Sequence, residues 1–290
     1  MTDRRATGPP GAVPGGTPTP RAGGIWDSAL TSEEYAAVKG VGFEPVGQVL
    51  GTIVCSVGYE GVGGCPGAWT VVDGKRVPFS RWVPSLSQTA RAMQAARRRA
   101  LSRAVAECGA LGGDGIVGVE LCANRFAEEF VEYTVRGTAV RARSRIRPHR
   151  PFTSHLTGQD FAKLLHSGWV PTGLAFGVAL EIRHDDWRTS RRTAWTAETQ
   201  EVDGYTHLLG HVRRQARGQL TLDAAKHGGD GLVVDDVELT VSESECPAYG
   251  YTRDFIAEAV FVGTSIARFG RSERSAGPTP LTIMRLERER

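Results

Sequence analysis

Two histidines spaced four residues apart are the clearest candidate metal ligands in the sequence. His207 and His211 fall in a segment predicted to be helical, and residues four apart on a helix share one face. A tetrahedral site needs two further ligands, and the nearby charges of Arg213 and Arg214 oppose a bound cation. The alternative interpretation is that both histidines are solvated residues on a helix surface.

Two cysteines form the second candidate metal site. Cys55 and Cys65 bracket a glycine-rich loop that follows an apolar, strand-like segment. Two thiolates are fewer than soft-metal sites normally use, and the loop lacks the glycine patterns of nucleotide-binding loops. The sequence therefore favours a surface loop, and a transition or heavy metal held by Cys and His ligands stays open as the alternative.

Four tryptophans and two glycines are candidate interface residues. Tryptophan is enriched at binding hot spots, and each half of the chain carries two tryptophans in a long loop. The alternative is that these rings fold back and cover the sheet. Glycine inside a predicted strand permits a bulge or the close approach of another chain. The candidates are Trp69, Trp82, Trp187, Trp195, Gly137 and Gly263.

Catalytic chemistry has the least support in this sequence. No nucleophile and base, and no pair of carboxylates, recur at matching places in the two halves, so we predict that the protein is not an enzyme. The predicted long helices carry arginines that could contact phosphate, among them Arg97 and Arg98. Aromatic residues are not interleaved with them, and the net charge is only +3, so nucleic-acid binding is not expected.

Composition indicates a globular protein without a membrane segment. Of the 290 residues, 40% are hydrophobic and 23% are charged, which is ordinary for globular domains. No stretch approaches the roughly 18 apolar residues of a membrane helix. The five cysteines include no CxxC pair, which indicates reduced thiols and a cytoplasmic location.

The sequence also repeats itself over a long distance. Ser28–Thr31 returns as Ser154–Thr157, with Ser and Leu-Thr retained, at an offset of 126 (154 minus 28). Gly112–Gly115 returns unchanged as Gly228–Gly231, at an offset of 116 (228 minus 112). A repeat of this length is a whole small domain rather than a solenoid unit.

Each half is predicted to contain a helix, a strand, a long helix and two more strands. Thr31 and Glu34 form a capping box before the first short helix. The long helix of the first half runs from about Leu86 to Ala110; its apolar stripe includes Ala92, whereas Arg97 falls off the stripe and is expected to be solvated. The predicted strands are 43–57, 116–122 and 130–142 in the first half, and 169–182, 232–241 and 255–269 in the second.

This pattern resembles the YbjQ family of small bacterial proteins. The segments that carry the resemblance are Val46–Gly51, Ile116–Val119 and Gly137–Val140. The first half is the closer match, and the second half is the more diverged copy. The resemblance implies a tandem duplication of a βαββ, dodecin-like domain. It also implies ring-like homo-oligomers, since family members form pentameric rings, and it carries the family description of heavy-metal binding.

The expected architecture is therefore α+β, with two tandem YbjQ-like domains that each gain a short N-terminal helix. The first domain covers 25–145 and the second covers 151–270. We expect a disordered tail at 1–24 and a flexible tail at 271–290, because these segments have little to bury. The predicted function is a non-enzymatic oligomeric binding or scaffold protein, and metal binding is the alternative.

Overall fold

A computed structural model describes residues 28–56, 69–72, 75–78, 86–127, 130–145, 147–184, 201–245 and 253–269. Within these ranges the fold is α+β. Several predictions concern residues outside the described ranges. They are the tails at 1–24 and 271–290, and the candidate site residues Cys65, Trp82, Trp187 and Trp195.

The first half of the chain begins with the predicted capping box. The backbone N–H of Thr31 donates to Oε2 of Glu34 at 2.8 Å, and the N–H of Glu34 donates back to Oγ1 of Thr31 at 3.3 Å. These bonds satisfy two N–H groups that a helix start leaves unpaired. The elements that follow are α1 (Ser32–Gly40), β1 (Phe43–Ser56), β2 (Trp69–Val72), β3 (Lys75–Pro78), α2 (Leu86–Ala110), β4 (Gly115–Ala127) and β5 (Phe130–Ala142).

The second half repeats most of this order. Thr157 caps its first helix by accepting a hydrogen bond from the N–H of Asp160 at 3.2 Å. The elements are β6 (Phe152–Thr153), α3 (Gly158–His166), β7 (Trp169–His184), α4 (Asp203–Ala225), β8 (Gly231–Glu245) and β9 (Arg253–Arg268). We call two residues counterparts when they are separated by the sequence offsets given above: 126 for α1, β1 and β5, and 116 for α2 and the start of β4.

The strands form two main sheets and one hairpin. The first sheet has the order β1-β5-β4-β6, and the second has the order β7-β9-β8. All neighbours are antiparallel except β4 and β6, which are parallel. The long loop predicted after β1 is partly wrong, because β2 and β3 pair antiparallel within it, with Trp69 opposite Pro78.

Helix α2 lies between the two sheets. On one side, β1 approaches so closely that a Cβ on Gly51 would lie 2.0 Å from the carbonyl oxygen of Ala100. On the other side, the side-chain amide of Gln94 donates to the carbonyl of Phe176 in β7 at 2.7 Å. Helix α4 covers the opposite face of β7. The layers are therefore first sheet, α2, second sheet and α4.

Of the burial predictions for α2, the one for the apolar stripe is confirmed in part, and those for Ala92 and Arg97 are wrong. Ala96, Ala100 and Cys108 are buried, as the predicted stripe requires. Ala92 is exposed. Arg97 is only 2% exposed, because the second sheet covers the side of α2 that an isolated domain would leave in water.

A glycine with a left-handed backbone follows each long helix. Gly112 follows α2 with a φ of +71°, and Gly228 follows α4 with a φ of +67°. Both angles lie in the left-handed region, where a side chain would be strained. None of the helices in the described ranges is long and apolar enough to cross a membrane.

Candidate assembly interface

The second half of the chain covers the edge of β4. The N–H of Ser154 donates to the carbonyl of Ile116, and the N–H of Val119 donates to the carbonyl of Ser154, both at 2.9 Å. The N–H of Gly118 donates to the carbonyl of Leu156, also at 2.9 Å. These bonds pair backbone groups of an edge that would otherwise be open to association.

The covering segment is also fixed to the second sheet. The N–H of His155 donates to Oγ1 of Thr264 in β9 at 3.1 Å, and Oγ of Ser154 lies 3.3 Å from the same hydroxyl. The same contact recurs in the first half, where the N–H of Ala29 donates to Oγ1 of Thr138 at 3.2 Å. The segment Ser154–Leu156 therefore links the first sheet with the second sheet.

The two short helices pack against each other beside this edge. The N–H of Gly158 donates to Oε1 of Glu34 at 3.3 Å, and the side-chain amide of Gln159 donates to Oε2 of Glu33 at 3.1 Å. A Cβ on Gly158 would lie 2.7 Å from Cβ of Glu34. Glycine is thus needed for the close approach of α3 to α1.

Three aromatic rings form the apolar part of this contact. Phe161 of α3 is fully buried; its ring centroid lies 5.2 Å from that of Phe43 and 5.6 Å from that of Phe152. Aromatic pairs at these distances add to the stability gained from burial alone. We use the name junction for the contacts of Phe152–Leu156 and α3 with β4 and α1.

Arg97 forms a second link between the halves. Its guanidinium lies 4.8 Å from the ring centroid of Tyr133 in β5, and its Nη2 lies 3.4 Å from Oε1 of Glu258 in β9. Burial raises the pKa of Glu258, and the charge of Arg97 opposes that rise. Burial likewise raises the pKa of Tyr133. The charge is held by a ring and a carboxylate from different sheets, so it anchors one sheet to the other.

Beside Arg97, a second ion pair links the two long helices. Arg98 of α2 pairs with the carboxylate of Asp223 of α4, whose side chain is 3% exposed. The other oxygen of Asp223 accepts the N–H of Phe176 at 3.0 Å, and Lys226 lies 3.3 Å from the carboxylate. The edge strand β7 therefore has its polar groups paired by side chains from both helices.

The predicted histidine ligands lie on the exposed side of α4. His207 and His211 are both exposed. Nε2 of His211 lies 2.6 Å from the side-chain amide nitrogen of Gln215 and 3.6 Å from Oε2 of Glu181. Within the described residues, no three His, Cys, Asp or Glu side chains are grouped to hold a metal ion. The metal role of the two histidines stays a prediction.

The other predicted site residues are placed only in part. Cys55 is half-buried in β1, and Trp69 begins β2. A Cβ on Gly137 would lie 2.7 Å from Cγ2 of Ile116, and one on Gly263 would lie 2.9 Å from the carbonyl oxygen of Val233. The close neighbours of both glycines are thus strands of their own sheets, and their interface role stays a prediction.

Sequence reasoning missed Arg97 and Glu258, although one signal was available. Arg97 lies four residues after Met93 and three before Ala100, both buried, so it has the spacing of the apolar stripe. A charged residue at that spacing indicates a buried partner on another element. Glu258 carried no comparable signal, because the partner comes from the other half of the chain.

Comparison with known proteins places the chain in a family. The YbjQ family model, described as "Putative heavy-metal-binding", matches residues 85–143, which contain α2, β4 and β5. The curated encapsulin nanocompartment protein Rv1762c of Mycobacterium tuberculosis is 30% identical over 255 residues, which is 85% of this chain and 87% of that protein. The chain belongs to the same family as that mycobacterial protein. The likeness to the mycobacterial protein therefore extends over both halves of this chain, beyond the residues that the YbjQ model matches.

Proposed function

We propose that this chain is a non-enzymatic scaffold protein of two tandem YbjQ-like units, at 25–145 and 151–270. It assembles head to tail into a ring-like homo-oligomer and is a component of an encapsulin-type nanocompartment. The observation that carries the proposal is the junction, in which one unit completes the edge of the other. A unit that needs a neighbour to cover its edge is suited to repeated association.

Matched contacts in the two halves support the duplication. A Cβ on Gly51 would lie 2.0 Å from the carbonyl oxygen of Ala100, and one on Gly177 would lie 2.0 Å from that of Ala216. Gly177 is the counterpart of Gly51, and Ala216 is the counterpart of Ala100. The close approach of strand and helix is therefore the same in both units, although the surrounding side chains differ.

The buried polar groups support a structural rather than a catalytic role. The guanidinium of Arg97 contacts the ring of Tyr133 and the carboxylate of Glu258, and its side chain is only 2% exposed, so it is not accessible to a substrate. Burial, together with the charge of Asp114, raises the pKa of the Cys108 thiol to about 11. A thiol in that state is protonated at neutral pH and is a poor nucleophile.

The nanocompartment role comes from the relative and is tested by co-purification. The chain is expressed with the encapsulin shell protein of its own source, and compartment-sized particles are isolated by density. We expect the chain to travel with the particles at a fixed ratio to the shell. Recovery of the chain only in the unassembled fraction would overturn this role.

Metal binding is the second candidate function, favoured by the family description and by the exposed position of His207 and His211. Metal content is measured on untagged purified protein, alongside His207→Ala and Cys55→Ala. Bound metal that falls in either variant supports this function. A metal-free native protein, or metal retained in both variants, contradicts these ligands.

A further inference from the structure

We propose that a second copy of this chain docks on β8 and on the outer face of α4, and that it repeats there the junction found inside the chain. The docking elements of the second copy are Ser28–Leu30, α1 and the open face of its first sheet. The inference rests on the proposed head-to-tail assembly and names the surfaces that make it.

The starts of β4 and β8 differ in burial although their sequences are counterparts. Val117 is fully buried in one cluster with Leu156 and Phe161 of the second half. In β8, by contrast, its counterpart Val233 is half-buried, and the next residue, Val234, is 47% exposed. An exposed apolar residue beside a sheet edge is a ready site for a further strand-like segment.

The docking segment of the second copy is exposed in the matching way. Ser154 and Leu156 are buried, whereas their counterparts Ser28 and Leu30 are half-buried and Ala29 is exposed. Ser28–Leu30 are already fixed by Thr138, in the way that Thr264 fixes the covering segment of the second half. The segment is therefore preorganised for the contact that its counterpart makes with β4.

The open face of the first sheet shows the same difference. Leu50 and Val54 of β1 are 55% and 50% exposed. Their counterparts in β7 are Phe176 and Leu180, which are 0% and 4% exposed because α2 covers them. A long helix from a second copy would cover Leu50 and Val54 in the same way.

Charges on the two free surfaces complement each other. Arg213 and Arg214 are the counterparts of Arg97 and Arg98, and both are exposed on α4. Inside the chain Arg97 pairs with Glu258, whose counterpart is Glu132 (258 minus 126). Repetition of the internal contact thus places Arg213 of one copy beside the half-buried Glu132 of the next.

The ion pair of Arg98 with Asp223 also has complementary counterparts on the two surfaces. Arg98 pairs with Asp223, whose counterpart is Glu107 (223 minus 116). Glu107 is exposed, and its Oε2 accepts the N–H of Leu50 at 2.7 Å, as Asp223 accepts the N–H of Phe176. Arg214 of one copy therefore meets a carboxylate that is already held in place on β1 of the next.

Each copy then has two different contact surfaces. One is β8 with the outer face of α4, and the other is Ser28–Leu30 with α1 and the open face of the first sheet. Such a heterologous contact forms a ring when its rotation closes and a filament when it does not. Two matching ion pairs also fix which surfaces meet, since like charges in the alternative arrangements repel.

The test uses charge reversals on the full chain. Arg213→Glu places like charges at the contact with Glu132, and Glu132→Arg does the same from the other side. Each variant alone should raise the dissociation constant for self-association roughly tenfold or more, measured by light scattering over a dilution series. The double variant with both reversals on one chain should restore association, because every contact between its copies then joins opposite charges.

Controls separate this inference from the proposed function. Arg99→Glu reverses an exposed arginine of α2 outside both surfaces and should leave association unchanged. Far-ultraviolet circular dichroism should be the same for all variants. If the wild type is a monomer at every concentration, the proposed assembly fails. If the wild type assembles but the reversals have no effect, or the double variant does not recover, only the assigned surfaces are wrong.

Discussion

The beginnings of β4 and β8 are related in sequence, but within the described ranges only β4 has a strand on both sides, β5 and β6. Gly115 lies against Phe152, and a Cβ there would be 2.3 Å from the ring. At Gly231, the counterpart, the nearest atom would be Cγ1 of Ile266 at 3.3 Å. The first half of the chain therefore does not cover the edge of β4 by itself; the segment near the start of the second half does.

The face of the first sheet that points away from α2 and the corresponding face of the second sheet, which packs on α2, differ in polarity as well as exposure. Thr52 and Thr134 of the first sheet share a side-chain contact at 3.3 Å. Their counterparts in the second sheet, Val178 and Val260, are 3% and 4% exposed and pack in the core with α2. At these two positions the internal contact is thus apolar, and the surface proposed for a second copy is more polar, as suits a contact between separately folded chains.

The largest difference should come from the aromatic residue of α3 and its counterpart in α1. Phe161→Ala removes a fully buried ring and should lower the free energy of unfolding by about 3–5 kcal/mol. Tyr35→Ala removes a half-buried ring and should cost half as much or less. Urea denaturation of both variants measures the difference, and equal losses would contradict the assigned asymmetry.

The glycines that begin β4 and β8 offer the next comparison. Gly115→Ala forces a methyl group into the ring of Phe152 and should cost about 1–3 kcal/mol. Gly231→Ala places a methyl group 3.3 Å from Cγ1 of Ile266, a tight contact that a small shift of that flexible side chain relieves, so it should cost less, about 0.5 kcal/mol. Thermal or urea unfolding at low protein concentration makes the measurement. A large loss in the second variant alone would reverse the comparison.

The paired arginines of the long helices should differ in both size and pH dependence. Arg97→Met leaves Glu258 buried without its cation and should cost about 1–3 kcal/mol near neutral pH. Arg97 opposes the raised pKa of Glu258, so its removal raises that pKa further. Arg213→Met, at an exposed position, should be close to neutral in the unassembled chain.

The sign of this pH effect follows from proton binding. A carboxyl with a raised pKa in the folded state binds its proton more readily when folded, so stability falls as the pH rises above its ordinary value of 4.5. The loss in Arg97→Met should therefore be smallest in acid and should grow toward neutral pH. Urea unfolding across that range checks it, and a loss independent of pH would count against the buried pair.

The smallest predicted effect concerns His155 at the junction. Burial lowers its pKa, and the charges of Asp235 and Asp160 oppose that shift. A histidine with a lowered pKa in the folded state stabilises the fold above its ordinary value of 6.5, and this stability is lost as the pH falls below it. His155→Ala, which copies Ala29, should flatten the acid side of the stability profile. An unchanged profile would remove His155 as its source.

Much of the fold was predictable because local patterns set it. Helix α2 and strand β5 have the predicted ends, and the capping box of Thr31 and Glu34 is confirmed. The spacing of Ala96, Ala100 and Cys108 identified the buried side of α2 that faces the first sheet. These features depend on neighbours within a few residues or on a single periodic face.

The interface was not predictable from the same patterns. Burial of Arg97 depends on Glu258, which is 161 residues away, and the short strand β6 has no periodicity of its own to reveal it. The repeat showed which residues are counterparts, but it could not show that one edge is covered and the other is open. That difference arises from the order of the two halves along the chain.

The most direct test of the proposed docking on β8 is amide hydrogen exchange at Val234 and Asp235, the counterparts of Gly118 and Val119, at several protein concentrations. These two amides should exchange fast in the dilute chain and become protected as assembly proceeds, approaching the protection of Gly118 and Val119. Arg213→Glu should prevent that gain at the same concentrations. Fast exchange of Val234 and Asp235 in the fully assembled particle would contradict the docking of a second copy on β8.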